Sequence, residues 1–196
     1  MKDTLQSEPA DQSKPVESPT AKKPAPQGIG MAVAFDWGLT VQLLLLPLLS
    51  LFLGAPSNYK QFNLNPTLTI FISFAFSWSI AILFALFGEG VRRGWRWTRP
   101  VQVAGNTFGF LGGFFLLPGV WQDLKVGSYW SLVPVVILLV FSPIIAWRLS
   151  RPVTGRWFAT VSSQEARKRH GGLWPWLIMI WSIVGGVLVT WGAFAK

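Results

Sequence analysis

The chain has 196 residues, 51% of them hydrophobic and only 13% charged, with a formal net charge of +9, 12 Trp and no Cys. Soluble domains carry about 25% charged residues, so a water-facing surface over most of this molecule is excluded. The lack of Cys excludes disulfides, thiolate-bound zinc, iron–sulfur clusters and thiol nucleophiles. Excess basic charge raises nucleic acid as a partner, but long apolar runs make a membrane the better one.

Residues 1–30 differ in composition from everything that follows. They hold five of the 14 prolines and almost no large apolar side chains. Such a segment cannot bury enough surface to offset the entropy of ordering, and it is expected to be a disordered tail. Its charges cancel, with Lys2, Lys14, Lys22 and Lys23 against Asp3, Glu8, Asp11 and Glu17. The tail is too long and too balanced for the basic region of a cleaved signal peptide, so the first apolar segment is expected to stay as an anchor.

A bilayer core about 30 Å thick needs about 20 mostly apolar residues in a helix. Five segments of the 31–196 region meet or approach that length: 33–53, 67–87, 101–120, 129–147 and 173–194. The second has no charge, and the third is diluted by glycines and Asn106. If all five cross, the tail, the 88–100 loop and the 148–172 loop share one side and carry 14 Lys/Arg. Lys60, Lys125 and Lys196 fall on the other. Cytoplasmic loops are enriched in Lys and Arg, which predicts an N-terminus inside and a C-terminus outside. Removing the third span would destroy this segregation. Most Trp residues fall near predicted membrane boundaries, as in interfacial aromatic belts; Trp78 and Trp181 are the two in mid-span.

Several groups stand out along the spans. Gly105, Gly109 and Gly113 recur every four residues on one helix face, the small-residue pattern that lets membrane helices approach closely. They serve either a contact within this chain or a seam with another subunit or a second copy. Gly185 and Gly186 form a weaker notch of the same kind. Ser73 and Ser77 share a face of the second span, and Asn106 is placed to bond a neighbouring helix or line a small polar cavity. Asp36 is the one ionisable residue within a span, in its first turn or so near the cytoplasmic interface beside Trp37, and is read as favouring the start of its helix electrostatically. Glu89 beside Arg92 and Arg93 reads as a surface ion pair. The chain's one His, His170, lies beyond reach of the mid-span serines, which disfavours serine-hydrolase chemistry, and one His cannot build a metal site. No cofactor is expected.

The loop 148–172 reads RLSRPVTGRWFATVSSQEARKRHGG. Ser162 with Glu165 three residues on matches a capping box opening a short helix, which Gly171 and Gly172 stop. Arg92, Arg93, Arg96, Arg151, Arg156, Arg167, Lys168 and Arg169, with Trp157, are the residues expected at anionic headgroups on the cytoplasmic face. Nucleic acid is not expected to bind there.

The sequence therefore predicts an all-α polytopic membrane helical bundle with five transmembrane helices, in a bacterial cytoplasmic membrane. The leading expectation for its role is a non-enzymatic accessory, assembly or scaffold component. The alternative is a small transporter or permease component for an apolar or lipid-like substrate, with Asn106, the serines and the kinks at Pro47, Pro134 and Pro143 along its path. A lipid-modifying enzyme drawing on Asp36, Glu89 and His170 ranks third.

Overall fold

The computed structural model describes residues 26–53 and 66–194, and among these every regular element is helical. The seven helices are α1 (Ile29–Leu53), α2 (Pro66–Arg92), α3 (Thr98–Lys125), α4 (Leu132–Ser150), α5 (Pro152–Thr160), α6 (Ser163–Arg169) and α7 (Trp174–Phe194). Five of them, α1 to α4 and α7, are long and apolar enough to cross a membrane, with mean hydropathy from 1.4 in α3 to 2.3 in α2 and α4. The tail expected to be disordered lies outside the described residues up to position 25, and residues 29 and 30 already belong to α1.

The helices overrun the apolar windows mostly at one end. At a rise of 1.5 Å per residue, α2 runs about 7 Å past Phe87 to Arg92, and α1 starts about 6 Å before Val33. Hydropathy falls where a helix leaves the hydrocarbon, whereas backbone hydrogen bonding continues into the polar layer. The fourth span shifts as a whole, beginning at Leu132 rather than residue 129 and ending at Ser150. The cause is the turn before it, in which Ser128 N–H bonds the Asp123 carbonyl at 2.9 Å and Gly127 takes φ +78.

Prolines shape α4. Its middle, Ile137–Phe141, is a π-helical segment in which the Ser142 N–H reaches back five residues to the Ile137 carbonyl. Pro143, next in the chain, has no N–H to give and its ring crowds the carbonyl four residues back. Widening the preceding turn absorbs that crowding within a helix that stays continuous.

The spans pack as two groups. α1 lies between α2 and α7, while α3 runs along α4. Small residues set the approaches, as expected where lipid tails are as apolar as the side chains and close contact has to supply the attraction. A Cβ on Gly88 of α2 would sit 2.6 Å from the Trp37 indole of α1, and one on Gly186 of α7 would meet Val41 and the Gly38 carbonyl at 2.7 and 2.8 Å. Across the same α1–α7 contact the Ser182 hydroxyl donates to the Ala34 carbonyl at 3.1 Å.

Both groups are tied together at one end, hereafter the basic end. There the α2–α3 loop meets α5 and α6, which fold back as a cap. Arg96 donates to the Ala159 carbonyl at 2.6 Å, and Arg99 to the carbonyls of Leu149 and Ser150 at 2.8 and 3.2 Å. Gly94, at φ +70, lets the loop pass beneath Val161 and Trp157, where a Cβ would come within 2.6 Å of the valine. One buried apolar cluster joins Ile29, Val33, Val91, Ile145 and Leu149 of the spans to Trp157, Phe158 and Ala166 of the cap. The flanks of the spans, by contrast, expose large apolar side chains such as Phe71, Phe108 and Phe115, the face a bilayer would cover. The 88–100 and 148–172 stretches thus lie at the same end of the bundle.

Candidate functional site

Two features inside the bundle differ from ordinary helix packing. The first is a polar seam near the basic end. Asp36 sits roughly 10 Å along α1 from its start and is 1% exposed. Its Oδ1 accepts a hydrogen bond from the Gln102 side-chain amide of α3 at 2.9 Å, and its Oδ2 has no partner. One turn on, the Asn106 side-chain amide donates to the Gln102 carbonyl at 2.8 Å, leaving Asn106 Oδ1 unmatched. Ser142 of α4 is fully buried, its hydroxyl also unmatched, and it lies 3.5 Å from where a Cβ on Gly109 would be. Asp36, Gln102, Asn106 and Ser142 therefore line the meeting of α1, α3 and α4.

The expected capping role of Asp36 gives way to this cross-helix bond. Asp36 lies two turns inside α1 and faces α3, too deep to act on the helix terminus. Ser73 and Ser77 do not join the seam. Ser77 is buried on α2, roughly 16 Å along the helix from Gly88, whose position abuts the Asp36 side chain. Gln102 was not singled out from sequence. Its signal was a second amide one turn before Asn106 on the face that α3 buries, Thr98, Gln102, Asn106, Gly113 and Val120.

The second feature is a cleft of about 510 Å³ between the two helix groups, within the roughly 300–1,000 Å³ typical of ligand sites. Gly38 and Gln42 of α1, Pro134 and Phe141 of α4, and Ser182 and Gly185 of α7 are among its walls. Gly185 faces open space, while its neighbour Gly186 carries the α1–α7 contact. Trp181, 71% exposed, stands on the rim with Phe141. Ser182 spends its hydroxyl on the Ala34 and Ile178 carbonyls, so it offers the cleft little polarity. Gln42 is the polar side chain at the inner end. Asn106 and Ser77 are not among the lining residues.

The glycines divide accordingly. Gly109 and Gly113 pack on Leu138 and Leu139 of α4, whereas Gly105, Gly112 and Gly119 face open space. The basic residues divide as well. Glu89 accepts from Arg92 at 2.6 and 2.7 Å and from Arg93 at 2.6 Å, and Arg96 staples the cap. Arg151 lies over the Trp147 ring, 4.1 Å from its centroid. Arg169 pairs with Glu165 on α6, where Ser162 caps the Glu165 N–H as its spacing predicted. Arg156, Arg167 and Lys168 are exposed. Trp157 points inward, its indole edge-on to Phe158 at 4.9 Å and against His170 at 5.8 Å.

His170 closes α6 and is buried between Trp157 and Trp174, its Nδ1–H donating to the Arg92 carbonyl at 3.3 Å. Burial pushes its pKa below the ordinary 6.5, reinforced by the nearby charges of Arg92 and Arg169 and opposed by the carbonyl bond. His170 is a neutral wedge in the cap, bonded to Arg92 one turn beyond Gly88.

No protein-family model, curated protein or solved structure matches this chain.

Proposed function

We propose that the protein is a non-enzymatic integral membrane component whose working element is the lateral cleft, which takes an apolar or lipid-like molecule from the bilayer. The observation that supports this is the cleft itself: a glycine-relieved, largely apolar hollow between two helix groups that meet at the basic end and again where Gly192 packs on Trp130. The π-helical stretch of α4 forms part of its wall through Ile137, Leu138 and Phe141, and such segments concentrate at functional places. The reading carries an orientation, with the basic end cytoplasmic by the distribution of Lys and Arg and the membrane a bacterial cytoplasmic one.

A Cβ at Gly185 would meet no atom within 4 Å, and Gly185 lines the cleft, so a leucine there takes up cleft volume. The test is to purify wild type and Gly185→Leu in mild detergent and quantify the amphiphiles that co-purify. Wild type is expected to retain about one per protein and the variant markedly less. Equal retention by both proteins would overturn the reading.

A second reading, an accessory subunit that contacts another membrane protein or a second copy, draws on the open positions Gly105, Gly112 and Gly119. They recur every seven residues, on one side of α3, with no protein atom near. Cross-linking of a Gly112→Cys variant in native membranes supports it if an adduct of defined mass forms, and monomer alone rejects it.

A further inference from the structure

The cleft has a direction. Along α1 its lining runs from Met31 to Gln42, roughly 17 Å at 1.5 Å per residue, and on α4 and α7 it continues to Pro134 and Val189, a depth comparable to the roughly 15 Å of one acyl layer. Met31 on α1 and the buried Ile145 on α4 line its end nearest the basic end. One turn outward from each stand Gly28 and Arg148, and these two touch: a Cβ on Gly28 would be 2.8 Å from the Arg148 Cβ and 3.2 Å from its Cδ. The arginine stem thus lies across the start of α1, over the end of the cleft. Its guanidinium makes no hydrogen bond or ion pair with any described residue. Arg92, Arg93, Arg96, Arg99 and Arg169 at the same end are all committed to protein partners. The first amides of α1 open on the same spot, adding partial positive charge.

We propose that the occupant of the cleft is an anionic phospholipid of the leaflet at the basic end, its phosphate held by Arg148 and one acyl chain lying along α1 towards Gln42. This rests on the reading of the cleft as a binding site and names its ligand. The chain length a leaflet supplies matches the depth of the cleft. A guanidinium is suited to phosphate oxygens because its N–H donors pair with them in a fixed fork. A free phosphate would meet the charge but not the hollow, and a neutral amphiphile the hollow but not the charge.

The experiment is lipid titration of the delipidated full-length protein, read by native mass spectrometry. The probes are phosphatidylglycerol and diacylglycerol with identical acyl chains, the second carrying no phosphate. One basic side chain near anionic lipid contributes about 1 kcal/mol, so wild type is expected to prefer phosphatidylglycerol about fivefold. Arg148→Gln should abolish that preference while leaving diacylglycerol binding unchanged. Arg148→Lys, which keeps the charge, should retain most of it. Arg156→Gln, an exposed cation of the cap, should leave it intact. Gly185→Leu should weaken both lipids alike. Should wild type bind the two lipids equally while Gly185→Leu weakens both, the headgroup assignment falls and the cleft reading stands. No effect of Gly185→Leu on either lipid removes the cleft reading as well. Equal weakening of both lipids by Arg148→Gln, or displacement of phosphatidylglycerol by inorganic phosphate, would overturn the assignment.

Discussion

Gln102 links two helices by offering its side-chain amide to Asp36 on α1 while its backbone carbonyl takes the amide of Asn106. Removing one partner of a buried polar pair leaves the other unsatisfied at a cost of about 1–3 kcal/mol, whereas replacing both by apolar groups can be nearly neutral. Gln102→Leu should therefore lower stability by about 1–3 kcal/mol, and Asp36→Leu combined with Gln102→Leu should lower it less than Gln102→Leu alone. Unfolding in mixed detergent measures both, and an additive double variant would show that the pair is not coupled. Asp36 and Asn106 were legible as exceptional because polar residues in apolar spans are few. Their meeting was not, because it depends on which faces of α1 and α3 turn inward, and five apolar helices contain many such faces. His170 carries a second prediction. Its folded pKa lies below its ordinary 6.5 because the neutral ring is buried among Trp157, Trp174, Arg92 and Arg169. The unfolded chain therefore binds the proton more readily, and stability rises with pH through that window. The contribution is complete above pH 6.5 and is lost as pH falls from there through the folded value. Protection factors of the α5–α6 amides, corrected for the intrinsic slowing of exchange in acid, should fall on acidification below about pH 6.5, and His170→Gln should flatten that response.

At the scale of elements, one glycine pattern serves two purposes. The sequence shows Gly105, Gly109 and Gly113 as a single stripe, yet α3 packs on α4 only over the later two. The two helices meet in the stretch that includes the π-helical segment, where Leu138 and Leu139 press on Gly109 and Gly113, while Gly105 meets no neighbouring helix. Nothing in residue spacing marks where along a helix the neighbour makes contact, so the stripe was readable and its division was not. Gly113→Val puts a branched side chain where Leu139 is already 2.7 Å from the Cβ position, and overpacking of this kind costs about 1–3 kcal/mol. Gly105→Val meets nothing and should fall within about 0.5 kcal/mol of wild type. Thermal unfolding of the two variants side by side checks the division, and equal losses would refute it. The cap repeats the lesson. The Ser162–Glu165 spacing announced α6, whereas no helix was expected over α5, which contains Pro152 and Gly155. Pro152 in fact occupies the first turn, where its missing N–H costs nothing, and Gly155 makes room for the Arg99 guanidinium. Trp157, expected in the headgroup layer, is drawn inward because α5 turns its aromatic pair onto the spans.

At the scale of the whole molecule, the five spans were legible because hydropathy and charge alternation are both summed over many residues and survive local error. The arrangement of the spans was not, because lipid and protein interiors are equally apolar and hydropathy cannot tell an inward face from an outward one. The same summation makes the topology the most exposed claim to experiment. If α3 and α4 each cross, the turn at residues 126–131 and the cap at 152–169 lie on opposite sides of the membrane. The chain has no Cys, so single substitutions give unambiguous labelling sites. Val126 is 80% exposed and Gln164 is exposed on α6, so neither replacement disturbs packing. In sealed, right-side-out vesicles a membrane-impermeant maleimide should label Val126→Cys from outside and leave Gln164→Cys unlabelled until the vesicles are opened. Labelling of both from one side would mean that α4 does not span and would dissolve the cleft, since its walls come from α1, α4 and α7 together. Labelling with the sides exchanged would keep the fold and reverse its orientation, moving the Arg148 site to the outer leaflet. The first outcome joins the arrangement of the spans to their direction, because the Arg/Lys-rich end expected to set orientation is also the end at which the cap ties the two helix groups and Arg148 lies over the end of the cleft.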